Sequence, residues 1–191
     1  MKTKELGCIF LGAMATLAVF NRADADSATY IMRGNGSGFF NGVAFSDRDF
    51  SLTATADTDN IIGGPVFTLV NDMTDVFIDG IGTDILTNEI QTVSNQNTDL
   101  AGFGDNNLNL GIHFANNPVF ATYDLSTSLP ETPGVPVFNS GINFTTSSGS
   151  VSWSDVTSIS FQAIVVPEPA AATPLLFGLL ISIASLARHR R

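Results

Sequence analysis

The chain has 191 residues and a formal net charge of −10, and six of its eight basic residues stand outside residues 26–166. Inside that stretch only Arg33 and Arg48 oppose fifteen carboxylates, a balance of about −13, which repels polyanions and excludes nucleic-acid binding. The one cysteine, Cys8, precedes the stretch, so residues 26–166 have no disulfide, thiolate metal site or cysteine nucleophile.

From its start the chain reads as a secretory signal peptide, residues 1–25. Lys2 and Lys4 form the basic region, Leu6 to Phe20 the apolar region, and Ala23-Asp24-Ala25 the signal peptidase site, so the mature chain is expected to begin at Asp26. Leu6-Gly7-Cys8 looks like a lipoprotein box, but there the cysteine follows the apolar stretch, and here it precedes it. What remains, 26–166, is one domain's worth of chain, long enough to bury a core.

Period-two alternation dominates this stretch. Phe50, Leu52, Ala54 and Ala56 alternate with Ser51, Thr53 and Thr55. Further strands are expected at Leu108–Phe114, at Val119–Leu125 and around Ile142, Phe144 and Thr146. Val151 and Trp153 would open the last hairpin, and Ile159, Phe161, Ala163 and Val165 would close the domain. Turns are expected at Asn35-Gly36, Asn41-Gly42, Gly63-Gly64-Pro65, Asn116-Asn117-Pro118 and Ser147 to Ser150. No helical period stands out. About nine or ten short strands at this spacing predict an all-β fold, an antiparallel β-sandwich with a jelly-roll connection as one option. Phenylalanine supplies most of the core bulk.

The chemistry-bearing residues are few. Asp57 and Asp59, in Asp57-Thr58-Asp59-Asn60, and Asp79 and Asp84, in Asp79-Gly80-Ile81-Gly82-Thr83-Asp84, are the candidate Ca²⁺ ligands, because hard oxygen donors suit that ion. Ile61 breaks the EF-hand pattern of the first. The second, with a poorer echo at Gly102 to Asn107, partly matches a Ca²⁺-binding nonapeptide that works only in tandem. Solvated acidic turns are the favoured reading of both, and no other cofactor is indicated. His113 is the only imidazole of the stretch, and alternation puts it opposite Leu110, Ile112 and Phe114, as an exposed strand residue and not a catalytic base. No nucleophile elbow, zinc-protease motif or phosphate loop occurs, and the chain is read as a non-enzyme. Glycan stacking would use Trp153, Tyr123 and Tyr30, although Trp153 shares a face with Val151, which favours core. Asn35-Gly36-Ser37 and Asn143-Phe144-Thr145 match the N-glycosylation sequon.

The last stretch, 167–191, holds Pro167-Glu168-Pro169, then 18 uncharged residues from Ala170 to Ala187, then Arg188-His189-Arg190-Arg191. As a helix the uncharged segment would extend roughly 27 Å, close to a ~30 Å hydrocarbon core. It is expected to be a single C-terminal transmembrane helix with its arginines on the cytoplasmic side. The order of motif, apolar segment and arginines resembles the PEP-CTERM sorting signal of exosortase substrates, a tail also known as an ice-binding protein C-terminal domain. The resemblance covers residues 166–191. It implies that a membrane-embedded, exosortase-type cysteine protease recognises Pro167, Glu168 and Pro169 and releases or transfers the outer domain. Arg188, Arg190 and Arg191 would hold the tail inside. Gly38 to Phe45 and Phe50 to Thr58 are similar to a pattern in PEP-CTERM proteins of unassigned activity. Ice binding itself would need a regular threonine ladder, which Thr53/Thr55 and Thr145/Thr146 do not make.

These readings lead to an exported protein, anchored in the inner membrane as a precursor and placed at the cell surface or outside after processing. Its β-domain would serve the envelope or extracellular polysaccharide matrix as a structural or adhesive element. The alternative is a glycan-binding, lectin-like module with a dependence on Ca²⁺.

Overall fold

A computed structural model describes residues 26–105 and 110–167, with the backbone alone for residues 110–112. The strands are β1 (Ser27–Phe40), β2 (Val43–Asp57), β3 (Ile62–Gly63), β4 (Val66–Val70), β5 (Met73–Ile78) and β6 (Gly82–Ile85). They continue with β7 (Ile90–Asn95), β8 (Leu100–Asp105), β9 (Leu110–Asn116), β10 (Leu129–Phe138), β11 (Phe144–Thr145) and β12 (Ser150–Val166). Two short 3-10 helices, Thr58–Asn60 and Pro118–Thr122, are the only helical turns among the described residues. The fold is all-β and antiparallel throughout, and no helix of the described residues is long and apolar enough to cross a membrane.

All twelve strands belong to one sheet, in the order β3-β4-β7-β8-β9-β10-β12-β1-β2-β5-β6, with β11 added to β12. The sheet turns its corner along β10. Leu129–Gly134 pair with β12, whereas Val135–Phe138 pair with β9. Pro133 pairs with Ser160 of β12 and Pro136 with Ala115 of β9, so each half of β10 is paired along one edge only, a position where a missing N–H is tolerated. Curling brings the inner faces of the two arms together around one core. The Phe103 ring on β8 lies 6.3 Å from that of Phe161 on β12, and His113 on β9 lies 4.3 Å from Trp153.

The strands form where alternation asked for them, and the exceptions have local causes. β2 buries Phe50, Leu52, Ala54 and Ala56 on one face as expected. The Asn41-Gly42 turn links β1 and β2 with both residues at positive φ, 50° and 82°, the geometry an Asn-Gly hairpin turn supplies. Asn35-Gly36, by contrast, is no turn and lies inside β1. Val119–Leu125 is no strand either. Asn117 caps a 3-10 turn through Val119 N–H at 3.0 Å, with Pro118 at its first position, and this short-range capping outweighs the alternation. Trp153 and Ile159–Val165 belong to one long strand, β12, rather than to a hairpin and a separate closing strand. The count is accordingly twelve strands among the described residues instead of nine or ten.

Candidate functional site

Strand β1 carries Gly34-Asn35-Gly36-Ser37-Gly38 through its middle, a run in which every second residue has no side chain. A Cβ at Gly34, Gly36 or Gly38 would lie 2.6, 2.5 or 2.0 Å from the carbonyl oxygens of Ser158, Asp155 and Ser152 on β12. The glycines therefore let the neighbouring backbone approach more closely than any side chain would allow. Opposite them β12 holds two extra residues. Gly38 pairs with Trp153 and Ser37 with Asp155, which leaves Ser154 out; Gly36 pairs with Val156 and Asn35 with Ser158, which leaves Thr157 out. On the other flank Gly36 pairs with Arg48 and Gly38 with Phe45, so Ser46 and Asp47 face Ser37 alone. Side chains fasten each bulge. Ser154 Oγ donates to Ser37 O at 3.2 Å, Thr157 Oγ1 to Asn35 Oδ1 at 3.1 Å, and Asp47 N to Ser37 Oγ at 3.1 Å.

Bulges bend a strand and increase its twist, and beside these three the outer face of the sheet is concave. A cavity of about 280 Å³ is lined by Arg33, Gly34, Asp49, Pro133, Ser158, Ile159 and Ser160. The strand register explains its form. Arg33 and Ser160 pair, as do Asn35 and Asp49, and all point outward; the pair between these rows, Gly34 and Ile159, supplies a floor of backbone. The walls are fixed by hydrogen bonds. Arg33 Nη1 donates to Gln162 Oε1 at 2.9 Å and to Glu131 Oε2 at 3.2 Å, while Ser160 Oγ donates to Glu131 Oε1 at 2.7 Å. Asn35 Nδ2 donates to Asp49 Oδ1 at 3.0 Å, and Asn117 Nδ2 to the Pro133 carbonyl at 2.7 Å. Sequence reasoning missed this place because it took Asn35-Gly36 for a turn. The alternate-glycine spacing was the available signal.

The residues singled out from the sequence land elsewhere. His113 is not exposed; only 1% of its surface reaches solvent. In the β8–β9 pairing Gly104 meets Gly111 and Phe103 meets His113, so Ile112 is an extra residue, and the slip turns His113 and Ala115 inward. Its ring lies among those of Trp153, Phe50 and Phe138, at 4.3, 5.2 and 5.9 Å, and neither nitrogen has a partner among the described residues. Burial pushes its pKa down from 6.5 to about 3. Tyr30, Tyr123 and Trp153 are all buried and form no exposed stacking platform. Tyr30 Oη donates to Leu125 O at 2.7 Å and Tyr123 Oη to Thr127 O at 3.2 Å, and desolvation raises the pKa of both phenols.

The four aspartates are dispersed. Asp57 accepts from Asp59 N at 2.8 Å where β2 ends, while Asp79 follows β5 and donates its N–H to Asp49 O, towards the other end of β2. Asp84 is buried, and its carboxylate accepts from the Ser147 hydroxyl, from Asn41 Nδ2 at 2.7 Å, from Ile85 N at 2.8 Å and from Ser148 N at 3.0 Å. Asn41 Oδ1 in turn accepts from Thr146 Oγ1 at 2.7 Å. The Ser147 bond first, and the others after it, hold the Asp84 carboxyl well below the usual carboxylate range against the opposing pull of desolvation. This network joins the β1–β2 turn, edge strand β6 and the β11–β12 turn. Among the described residues no group of three or more His, Cys, Asp or Glu side chains is placed to hold a metal ion. The signal peptidase site, Glu168, Pro169, the segment 170–187, the basic tail and part of the Gly102–Asn107 echo lie outside the described residues, and Pro167 is exposed.

Comparison of the chain with known protein families, with curated proteins and with solved structures finds no match.

Proposed function

We propose that this is an exported, non-enzymatic protein whose β-domain, residues 26–166, serves the cell envelope or the extracellular polysaccharide matrix as a structural or adhesive element. The observation that carries this reading is where the reactive groups lie. The single imidazole of the domain is sealed among aromatic rings, and its most perturbed carboxylate, Asp84, spends its acceptor positions on joining three chain segments. A general base has to reach solvent or substrate; His113 does not, and the Asp84 oxygens are taken up by hydrogen bonds. The curled sheet acts in this reading as a two-layered β-sandwich. A transmembrane helix over 170–187 follows it, residues 1–25 are removed by signal peptidase, and an exosortase-type enzyme processes the chain at Pro167-Glu168-Pro169. Intact mass of the protein from membrane and released fractions of its native host tests this. Termini at Asp26 and near Pro167 are expected, and a single membrane-bound species still carrying Arg191 would overturn the processing step.

A second reading, glycan binding, is favoured by one observation: the hydrogen-bonded concavity around Arg33 and Asp49. Binding to polysaccharide arrays, measured with and without chelator, separates it from a purely structural role and asks for Ca²⁺ dependence at the same time.

A further inference from the structure

We propose that the concavity beside the β12 bulges is a subsite for one neutral, polyhydroxylated sugar unit of a larger glycan. The proposal rests on the glycan-binding reading and adds its location and the class of sugar. Size sets the first limit. About 280 Å³ stands just below the range of ~300–1,000 Å³ usual for small-molecule sites; the depression is open to solvent, so it seats one ring while the rest of a glycan lies outside it.

Chemistry sets the second. A sugar hydroxyl donates and accepts at once, and the rim offers both: the Arg33 guanidinium donates, the Asp49 carboxylate accepts, the Ser158 hydroxyl does either, and Ser160 Oγ, whose proton goes to Glu131, accepts. Pro133, exposed on β10, adds an apolar wall for a C–H face. These groups need little reordering on binding. They stand on strands, and Arg33 and Asp49 are already held by Gln162, Glu131 and Asn35. The backbone floor, Gly34 opposite Ile159, belongs to the same glycine run and bulges that bend the sheet here.

Charge sets the third. The guanidinium is matched by Glu131 at 3.2 Å and lies near a second carboxylate, Asp49, in a domain of about −13. A uronate or sulfated sugar would meet net repulsion, and a neutral ring would not.

The test uses the full-length chain in detergent micelles. Neutral and uronate-containing oligosaccharides are arrayed against the wild type, Arg33→Gln, Asp49→Asn and a control altered on edge strand β6, Thr83→Ser. Binding of neutral sugars that weakens about tenfold or more in the two rim variants, as loss of a charged hydrogen bond predicts, and stays unchanged in the control supports the subsite. Neutral-sugar binding untouched by both rim variants overturns the location while leaving the glycan reading standing. Binding restricted to uronates overturns the class of sugar. No binding to any glycan overturns both the subsite and the reading beneath it. A second measurement needs no variant. Arg33 and Arg48 are the only arginines of residues 26–166, so arginine-selective labelling of the wild type, mapped by mass, is expected to show neutral sugar protecting Arg33 and not Arg48. Equal labelling of Arg33 with and without a sugar that binds would overturn the location independently.

Discussion

Around Phe161 the rings of Phe120, Tyr30, Tyr123 and Phe103 lie between 6.0 and 6.3 Å away, and both phenols send their hydroxyls to backbone carbonyls. Around His113 the rings of Trp153, Phe50 and Phe138 pack at 4.3 to 5.9 Å, and neither imidazole nitrogen nor the indole N–H has a partner among the described residues. Both clusters fill the space between the two arms of the same sheet. The difference is reach. A phenol carries its polar atom at the far tip of the ring, where the Leu125 and Thr127 carbonyls meet it, whereas the imidazole is enclosed by rings that offer no acceptor. One cluster has satisfied its polar atoms, and the other carries a cost that pH controls.

The largest expected effect breaks this contrast by acid. With its pKa lowered to about 3 by burial, His113 binds a proton more weakly in the folded chain than in the unfolded one. Its contribution to stability is complete above 6.5 and is lost as pH falls through about 3. At 1.36 kcal/mol per pKa unit the loss is about 3 kcal/mol by pH 4 and approaches about 5 kcal/mol at the end of the window. Urea unfolding of wild type and His113→Leu across this range measures it. The variant is expected to match or exceed the wild type near pH 7, since it removes two unpartnered buried nitrogens, and to lose less stability on acidification. Parallel pH profiles would refute the burial-driven shift.

Next in size is Phe161→Ala, which empties the centre of the satisfied cluster. A loss of about 3–5 kcal/mol is expected, read as a lower urea midpoint at unchanged slope. Unlike the His113 effect, this one is expected to be the same at pH 7 and pH 4.5.

The positions of these clusters were unequally legible in the sequence. β2 could be read directly, because Phe50, Leu52, Ala54 and Ala56 hold period two without interruption. β12 could not, because its buried residues Val151, Trp153, Val156, Ile159, Phe161 and Ala163 slip twice, at the bulges of Ser154 and Thr157. The same device hid His113, whose facing was reversed by one extra residue at Ile112. A bulge is set by the partner strand, and the partner is not visible in a local window. The Arg33 concavity was hidden for this reason too: Arg33, Asp49, Pro133 and Ser158 come from four strands, and only the fold brings them together. Asp84 was noticed in the sequence as a candidate cation ligand; what the sequence did not show is that its oxygens accept from Asn41, Ser147 and Ser148.

That carboxylate supplies the third effect. Asp84→Asn keeps the shape but turns one acceptor into a donor, which then faces either the Ile85 or the Ser148 N–H group. A destabilisation of about 1–3 kcal/mol is expected at neutral pH. Because its folded pKa lies below the usual carboxylate value, the wild-type contribution is present above about 4 and fades as pH falls through the lowered value. The difference between wild type and variant is therefore expected to shrink only at pH well under 4, later in an acid titration than the His113 effect. Should the gap close between pH 6 and 5, the network would not be lowering the Asp84 pKa.

The smallest effect belongs to the outer face. Arg33 and Glu131 are each about half exposed, with side-chain accessibilities of 45% and 50%, so water screens their attraction. Exposed ion pairs contribute about 0–1 kcal/mol. Arg33→Gln and Glu131→Gln are each expected to shift urea unfolding by less than about 1 kcal/mol, with no change in slope. The contrast with the two aromatic clusters is thereby sharpened. Substituting a core ring or acidifying His113 tests whether the sheet stays curled, whereas the Arg33 rim can be rewritten on a folded domain. A larger shift at Arg33 would mean that its bonds to Gln162 and Glu131 clamp β10 against β12 and β1 at the corner of the sheet. The concavity would then be a by-product of that clamp, and its polar rim would have been shaped by folding and not by a ligand.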